Sequence, residues 1–441
     1  MNVHGNRALG IGWLLLTGLA LPRPGLAQSW SAVDAAREAL SNHPAVVQAR
    51  ATTRAARSGI DMARSAYLPN LRLGASLVRF EEPMVVAPLH AFNPMAPPLF
   101  DDALVRSQAG LGYTLFDGGV RMGGLSAARA QATGADALGT AAEADVIIAV
   151  VEAYVGTAAA AEVVEASQRR RRALEAEAAR AEQAFAAGAA PQVEILRARA
   201  ALAEADAEQA SADGNLDASR RILARLTGRT SLPDASLTIP ESAPVNDLGT
   251  VLDEAPRLMA AEAGLKAAEG RHRAARGAYL PRVEARTALD QYGAIGESFS
   301  AEWQAGVQVS LPVFLGGRRR AEVRQRAAEV DAAAATVEGV RLQMRNEQDR
   351  ARSALAAARG RVTALSSAEE QFAEVVRIEA LALSEGSGIQ RDLLSAEASL
   401  FGVRAELSRA RAAVVTAQTA LAHATGVLSL DWLMDHLEDQ P

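Results

Sequence analysis

Cysteine is absent from this 441-residue sequence, lysine occurs once (Lys266), and aromatic residues make up only 4% of it. Without cysteine there is no disulfide scaffold, no thiolate metal site, no thiol nucleophile and no residue on which a lipid anchor could be built. Scarce aromatics argue against large compact cores, which lean on Phe, Tyr and Trp. A mean hydropathy of +0.01 excludes a mature chain built from helical membrane spans, each of which needs about 20 nearly continuous apolar residues. A net charge of −6 disfavours nucleic acid as a partner. In place of these features the chain has alanine, roughly a fifth of its residues, together with Leu, Glu and Arg. That is the composition of long helices packed closely together.

Residues 1–27 read as a secretory signal: His4 and Arg7, an apolar stretch from Ala8 to Leu21, then Pro22, Pro24 and the small-residue site Gly25-Leu26-Ala27. Cleavage is expected between Ala27 and Gln28. The apolar run is too short to span a bilayer, and loss of Arg7 and Arg23 takes the net charge from −6 to −8. An exported, acidic, cysteine-free protein of the bacterial periplasm or beyond is the consequence.

The chain is written twice. Ala66-Tyr67-Leu68-Pro69 recurs as Ala278-Tyr279-Leu280-Pro281, and Pro44 as Pro256, both 212 positions on. Leu115-Phe116-Asp117-Gly118-Gly119 is answered by Val313-Phe314-Leu315-Gly316-Gly317, Gly188 by Gly386, and Leu226-Thr227-Gly228 by Ala424-Thr425-Gly426, now 198 positions on. Two constant offsets describe two copies, of which the first carries a 14-residue insertion between Pro69 and Phe116. The domains expected are a first repeat over 28–228, a linker over 229–247, a second repeat over 248–426 and a C-terminal tail over 427–441.

Each copy has the same grammar. A short helix (Ser31 to Ser41, or Leu248 to Glu254) precedes Pro44 or Pro256, and a second helix then runs to Tyr67 or Tyr279. Two stretches of period two follow, expected as strands over about 69–80 and 105–116, and 281–292 and 302–313. The alternation is clearest from Trp303 to Val313, where Trp303, Ala305, Val307, Val309, Leu311 and Val313 share one side and Glu302, Gln304, Gly306, Gln308 and Ser310 the other. Strands of about ten residues cross a bilayer when tilted, but four cannot close a barrel, and an open edge in lipid leaves backbone groups unpaired. The chain must therefore oligomerise to close its sheet, or the strands form a soluble sandwich. After Gly119 no proline occurs until beyond Gly188, and the same holds from Gly317 to Gly386. Helices over about 118–187 and 316–385 would each be on the order of 100 Å long, with return helices over about 190–227 and 389–425 completed by the short helix stacked on each. Arg169 to Arg172, set among Glu165, Glu175 and Glu177, read as a solvated, ion-paired helix face.

In this order and spacing, twice over, the sequence resembles the TolC family of outer-membrane efflux proteins, from about Trp30 to Gly426. The resemblance implies a mainly α fold with a β membrane part: long α-helical hairpins forming a tunnel, and four transmembrane β-strands per chain contributing to a homotrimeric 12-stranded barrel in outer-membrane lipid. It also implies an exit duct for efflux or type I secretion, served by a periplasmic adaptor (membrane fusion) protein and an inner-membrane pump of RND or ABC type. The two helix-to-helix turns, Gly188-Ala189-Ala190 and Gly386-Ser387-Gly388, take the place of the family's adaptor-docking tip, and Glu194 and Asp392 that of the carboxylates at its constricted entrance. Leu383 and Gly388 stand where better-known members carry an aromatic and a basic latch residue. Three copies of each carboxylate would favour cations at a narrow opening. Helix N-terminal acids stabilised by the dipole are the plainer reading of the same two residues.

Little else in the chain carries chemistry. His43, His90, His272, His423 and His436 lack metal-ligand spacing, and neither a phosphate loop nor a nucleophile elbow is present. No enzyme, cofactor, metal or nucleic-acid partner is expected. The principal alternative is a periplasmic coiled-coil structural or adaptor protein, for which the strand pairs would have no use.

Overall fold

The computed structural model describes residues 30–86, 95, 100–233, 237–240, 254–296 and 299–437. The signal segment with Ala27 and Gln28, the helix expected over Leu248 to Glu254 except Glu254 itself, which is in a turn, and about half of the 229–247 linker lie outside the described residues. Eight helices and four strands follow in chain order within them: α1 (Ala32–Asn42), α2 (Pro44–Ser65), β1 (Asn70–Val85), β2 (Phe100–Phe116), α3 (Val120–Ala186), α4 (Gln192–Thr227), α5 (Pro256–Gly277), β3 (Arg282–Gly293), β4 (Ser300–Ser310), α6 (Arg318–Ser384), α7 (Gln390–Thr425) and α8 (Leu430–Leu437).

The duplication is exact at the level of helices. α3 and α6 both have 67 residues, α4 and α7 both 36, and α2 and α5 both 22. A 67-residue helix is about 100 Å long. Both long helices begin after a left-handed glycine, Gly119 (φ 88°) and Gly317 (φ 82°), a backbone state that a Cβ disfavours. Proline at the first position of α2 and α5 suits the one turn that needs no N–H donor.

Packing arranges the helices in four columns. α3 lies between a column made of α4 and α2 and a column made of α7 and α5, with α6 beyond the latter. The stacks abut end to end: the αL cap Gly228 of α4 meets Asn42, and the cap Gly426 of α7 meets Ala255 and Pro256. Each column continues into one strand, and the antiparallel sheet keeps the same order, β1-β2-β3-β4.

The largest apolar cluster lies midway along α3. α1 and α8 pack there, with Trp30, Val33, Ile147, Val151, Trp432 and Leu433 buried. Residues 430–437, expected as part of a tail, thus belong to the core. Their signal was legible, since Leu430, Leu433 and Leu437 recur at helical spacing. α3 has a window apolar enough to cross a membrane, but half of it is buried in the protein.

Strand limits differ from expectation for backbone reasons. The β1–β2 ladder is regular through Arg79↔Ala103, then shifts register and resumes at Met84↔Asp101 and Val85↔Phe100. β4 ends at Ser310, before Pro312, which has no N–H to give to a ladder.

Candidate functional site

Register decides which side chains share a face of the sheet. Leu73 pairs with Ala109, Ala109 with Leu289 and Leu289 with Trp303, so between the register shifts the odd-numbered positions of all four strands lie together. That face is apolar and open: Leu73 is 78% exposed, Trp303 75% and Val307 65%. Gly74, Gln108, Asp290 and Glu302 align on the other face. Asp290 is buried there and accepts hydrogen bonds from Arg106 Nη2 (2.8 Å), Gln108 Nε2 (3.0 Å) and Gln304 Nε2 (3.4 Å). An apolar outer face and a polar, internally bonded inner face are the two sides of a membrane barrel wall.

The wall is incomplete. β1 and β4 each lack a neighbour on one side, and beneath them the α2/α4 column and α6 are the two outer columns of the layer. α3 buries 22 residues, whereas α6, of equal length, buries six. A helix with that little cover, beside an unpaired strand edge, leaves this margin of the layer open.

Both tip turns are closed by the same device. Gly188 (φ 72°) donates its N–H to Phe185 O and Ala189 to Ala184 O; Gly386 (φ 74°) donates to Leu383 O and Ser387 to Ala382 O. These paired bonds cap the last carbonyls of α3 and α6. Gly388 is glycine for space, because a Cβ there would sit 2.7 Å from Leu383 N and 2.9 Å from Ala382 C. Ala190, its counterpart, carries a Cβ.

Glu194 and Asp392 both stand at the third position of their helices, where a carboxylate is favoured by the dipole. Asp392 also accepts from Arg391 Nε at 3.2 Å. The structure does not bring the two together. Gln390 Nε2 donates to Glu177 Oε1 (3.1 Å), and Arg199 pairs with Glu182 (2.7 Å). Read down α3, those contacts set Asp392 near the level of Glu177 and Glu194 near Phe185, roughly 12 Å apart along the axis.

A membrane-type sheet joined strand by strand to helical columns is the decisive arrangement, and the comparisons agree with it. The model of the outer membrane efflux protein family matches residues 35–229 and 248–427, both repeats. The chain belongs to the outer membrane efflux protein family. It is 26% identical over 253 residues to the outer membrane efflux protein BepC of Brucella suis, covering 53% of this chain and 54% of BepC. With the alkaline protease secretion protein AprF of Pseudomonas aeruginosa it shares 24% over 309 residues, 64% of this chain and 62% of AprF. The chain thus spans about half to three-fifths of the length of these relatives. The crystal structure of the outer membrane protein VceC of Vibrio cholerae superposes with a TM-score of 0.76 at 20% identity, over 90% of this chain and 96% of that one. It shares the fold.

Within this efflux-family chain, one polar cluster escaped sequence reasoning. Glu177, on α3, is 6% exposed and bound by Gln390 and by Arg180 Nη1 (2.8 Å). Glu397, about two turns beyond Gln390 along α7, has a buried Oε2 without a partner. Burial, and then the charge of Glu177, raise its pKa against the pull of Arg170 and Arg180. Arg170 itself is a correction to the expected solvated face: its side chain is 7% exposed, paired with Glu208 and set over the Phe401 ring at 5.3 Å. Arg169 and Arg171 do lie in exposed ion pairs, with Glu165 and with Glu175 and Asp206. Contacts with neighbouring helices, α4 within the repeat and α7 from the other, distinguish these neighbours, and a single helix pattern does not contain them.

Proposed function

We propose that this chain is the exit duct of a tripartite efflux pump or type I secretion system, passively conducting cargo from the periplasm to the exterior. The sheet lies in the outer membrane, and the helical columns extend from it into the periplasm. The observation that carries the reading is the pair of open edges, one strand and one helical column on each side, at the margins of a sheet with one lipid-type and one polar face. Unpaired strand edges cost several kcal/mol per backbone group in lipid, roughly, so the edges must be covered by further copies. Three copies close a barrel of twelve strands and a tunnel of matching columns. A periplasmic adaptor meets the turns at Gly188-Ala189-Ala190 and Gly386-Ser387-Gly388, and an inner-membrane pump supplies the energy. Glu194 and Asp392 then make two successive rings of carboxylates in place of one. The chain itself has no catalytic role in this scheme.

Fractionation of cells producing the full-length protein tests the reading. A duct is recovered with outer membranes as a trimer whose barrel changes electrophoretic mobility on heating. Recovery as a monomer in the soluble periplasmic extract overturns it in favour of a coiled-coil periplasmic protein.

A further inference from the structure

Charge is distributed unevenly along the columns. The ten helical residues nearest the sheet in each column, 56–65, 120–129, 268–277 and 318–327, hold twelve arginines against three acids, Asp61, Glu269 and Glu322. The ten nearest the tip, 177–186, 192–201, 375–384 and 390–399, hold five arginines against six acids. A chain of net charge −6 thus concentrates a charge of +9 in a band about 15 Å deep against the sheet.

Helix stability does not explain the band. Arg318, Arg319 and Arg320 open α6, where a cation opposes the helix dipole, while the equivalent turn of the first repeat reads Val120-Arg121-Met122. Arg319 is occupied within the chain, by the Pro312 carbonyl and the Tyr279 ring. Arg318, Arg320 and Arg324 are exposed and make no ion pair among the described residues. The other outer column, α2, carries Arg57, Asp61 and Arg64 at this level, and all three are already in ion pairs, Arg57 with Asp136 and Arg64 with Asp61. Directly above the band lie Val313 (90% exposed) and Phe314 (85%), followed by the partly exposed Leu315 and two glycines before α6. Apolar side chains giving way to arginine within one turn mark a boundary between acyl chains and head groups.

We propose that this arginine collar, centred on Arg318, Arg320 and Arg324, binds the anionic phospholipid head groups of the periplasmic leaflet and fixes the depth of the sheet. The proposal rests on the outer-membrane reading. Guanidinium groups bind phosphate bidentately, which suits a lipid phosphate at a helix surface.

The test uses full-length protein extracted from outer membranes, first verified as a heat-modifiable trimer, a step at which failure counts against the duct itself. It is equilibrated with phosphatidylethanolamine vesicles containing phosphatidylglycerol and re-extracted in mild detergent, and the retained lipids are quantified at low and high salt. The wild type retains phosphatidylglycerol in excess of the vesicle composition, and high salt abolishes the excess. Arg318→Gln/Arg320→Gln/Arg324→Gln lowers the excess by about tenfold, and the corresponding triple Lys variant keeps most of it. Arg320→Gln/Arg324→Gln, a milder change, gives an intermediate loss. Wild-type protein without a salt-sensitive excess, or a Gln variant with the full excess, overturns the proposal. So does a Gln variant that alters ion selectivity in planar bilayers while retaining lipid normally, since that result places the arginines in the lumen.

Discussion

Replacing Gly270 with leucine should loosen the seam between the repeats, and its size follows from contacts already described by the backbone. A Cβ at Gly270 would lie 2.8 Å from Ala127 N, 2.9 Å from Gly123 O and 3.1 Å from Ala127 Cα. All three are main-chain atoms, so no side chain can turn aside. For the first carbon alone, α3 must retreat by roughly 0.7 Å to reach ordinary van der Waals distance. Overpacking of this kind costs about 1–3 kcal/mol, while the change from glycine to a good helix former returns about 1 kcal/mol. The net for alanine is therefore about 0–2 kcal/mol of destabilisation, and leucine, with three more carbons to place, costs more. Gly264, two turns earlier in α5, has nothing within 4 Å of an added Cβ. Gly264→Ala should collect only the gain of about 1 kcal/mol. Thermal denaturation of the detergent-solubilised protein, followed by far-ultraviolet circular dichroism, reads both. The midpoint rises for Gly264→Ala and falls for Gly270→Leu. If the two substitutions raise it alike, α3 and α5 do not approach as closely as the contacts state, and the four-column layer is wrong at its centre.

Other consequences are testable in the same preparation or in cells. Gly188→Trp and Gly386→Trp, at left-handed positions with open surroundings, should abolish export while leaving trimer and membrane insertion intact; normal export in both removes the tip from adaptor docking. Asp145 is subject to burial, which raises its pKa, but hydrogen bonds from His423 and Arg257 outweigh that and hold it below the usual carboxylate range. Its contribution to stability is therefore complete above a pH of about 4 and is lost as pH falls through the lowered pKa, so a thermal midpoint that declines in acid should decline less in Asp145→Asn. Glu397 behaves oppositely, because a raised pKa makes the ionised form the costly one. Glu397→Gln should raise the midpoint at neutral pH and leave it nearly unchanged in acid. In planar bilayers, Asp392→Ala and Glu194→Ala should each weaken cation selectivity independently, as befits separate rings; an unchanged selectivity removes that residue from the constriction.

Much of the fold was legible because it is periodic. Two offsets of 212 and 198 residues are enough to place every equivalent helix end, and alternation from Trp303 to Ser310 assigns one face of β4 to lipid and the other to water. Limits set by single backbone events were harder to read: Pro312 cuts β4 short, and the register shift after Arg79 carries β1 past the expected end. α8 falls after the last repeat match, and only the helical spacing of Leu430, Leu433 and Leu437 marks it in the sequence. At the tip, sequence alone located the two turns but could not say that Gly388 is required for clearance or that Glu194 and Asp392 lie at different depths. The first depends on how the α6–α7 turn folds on itself, the second on how far one hairpin slides along the other, as fixed by Gln390 on Glu177. Glu208 on α4 and Phe401 on α7 cover Arg170, while Arg169 stays exposed, a difference between neighbours that no single-helix pattern contains.

Conductance of the purified full-length protein in a planar lipid bilayer tests the central claim most directly. An open-ended duct closed by three copies inserts as single steps of uniform size, abolished when β4 is disrupted by Val307→Pro and insensitive to loss of the 438–441 segment. Membrane-inserted trimer that passes no ions in any condition, including with both tip carboxylates replaced by alanine, would contradict it.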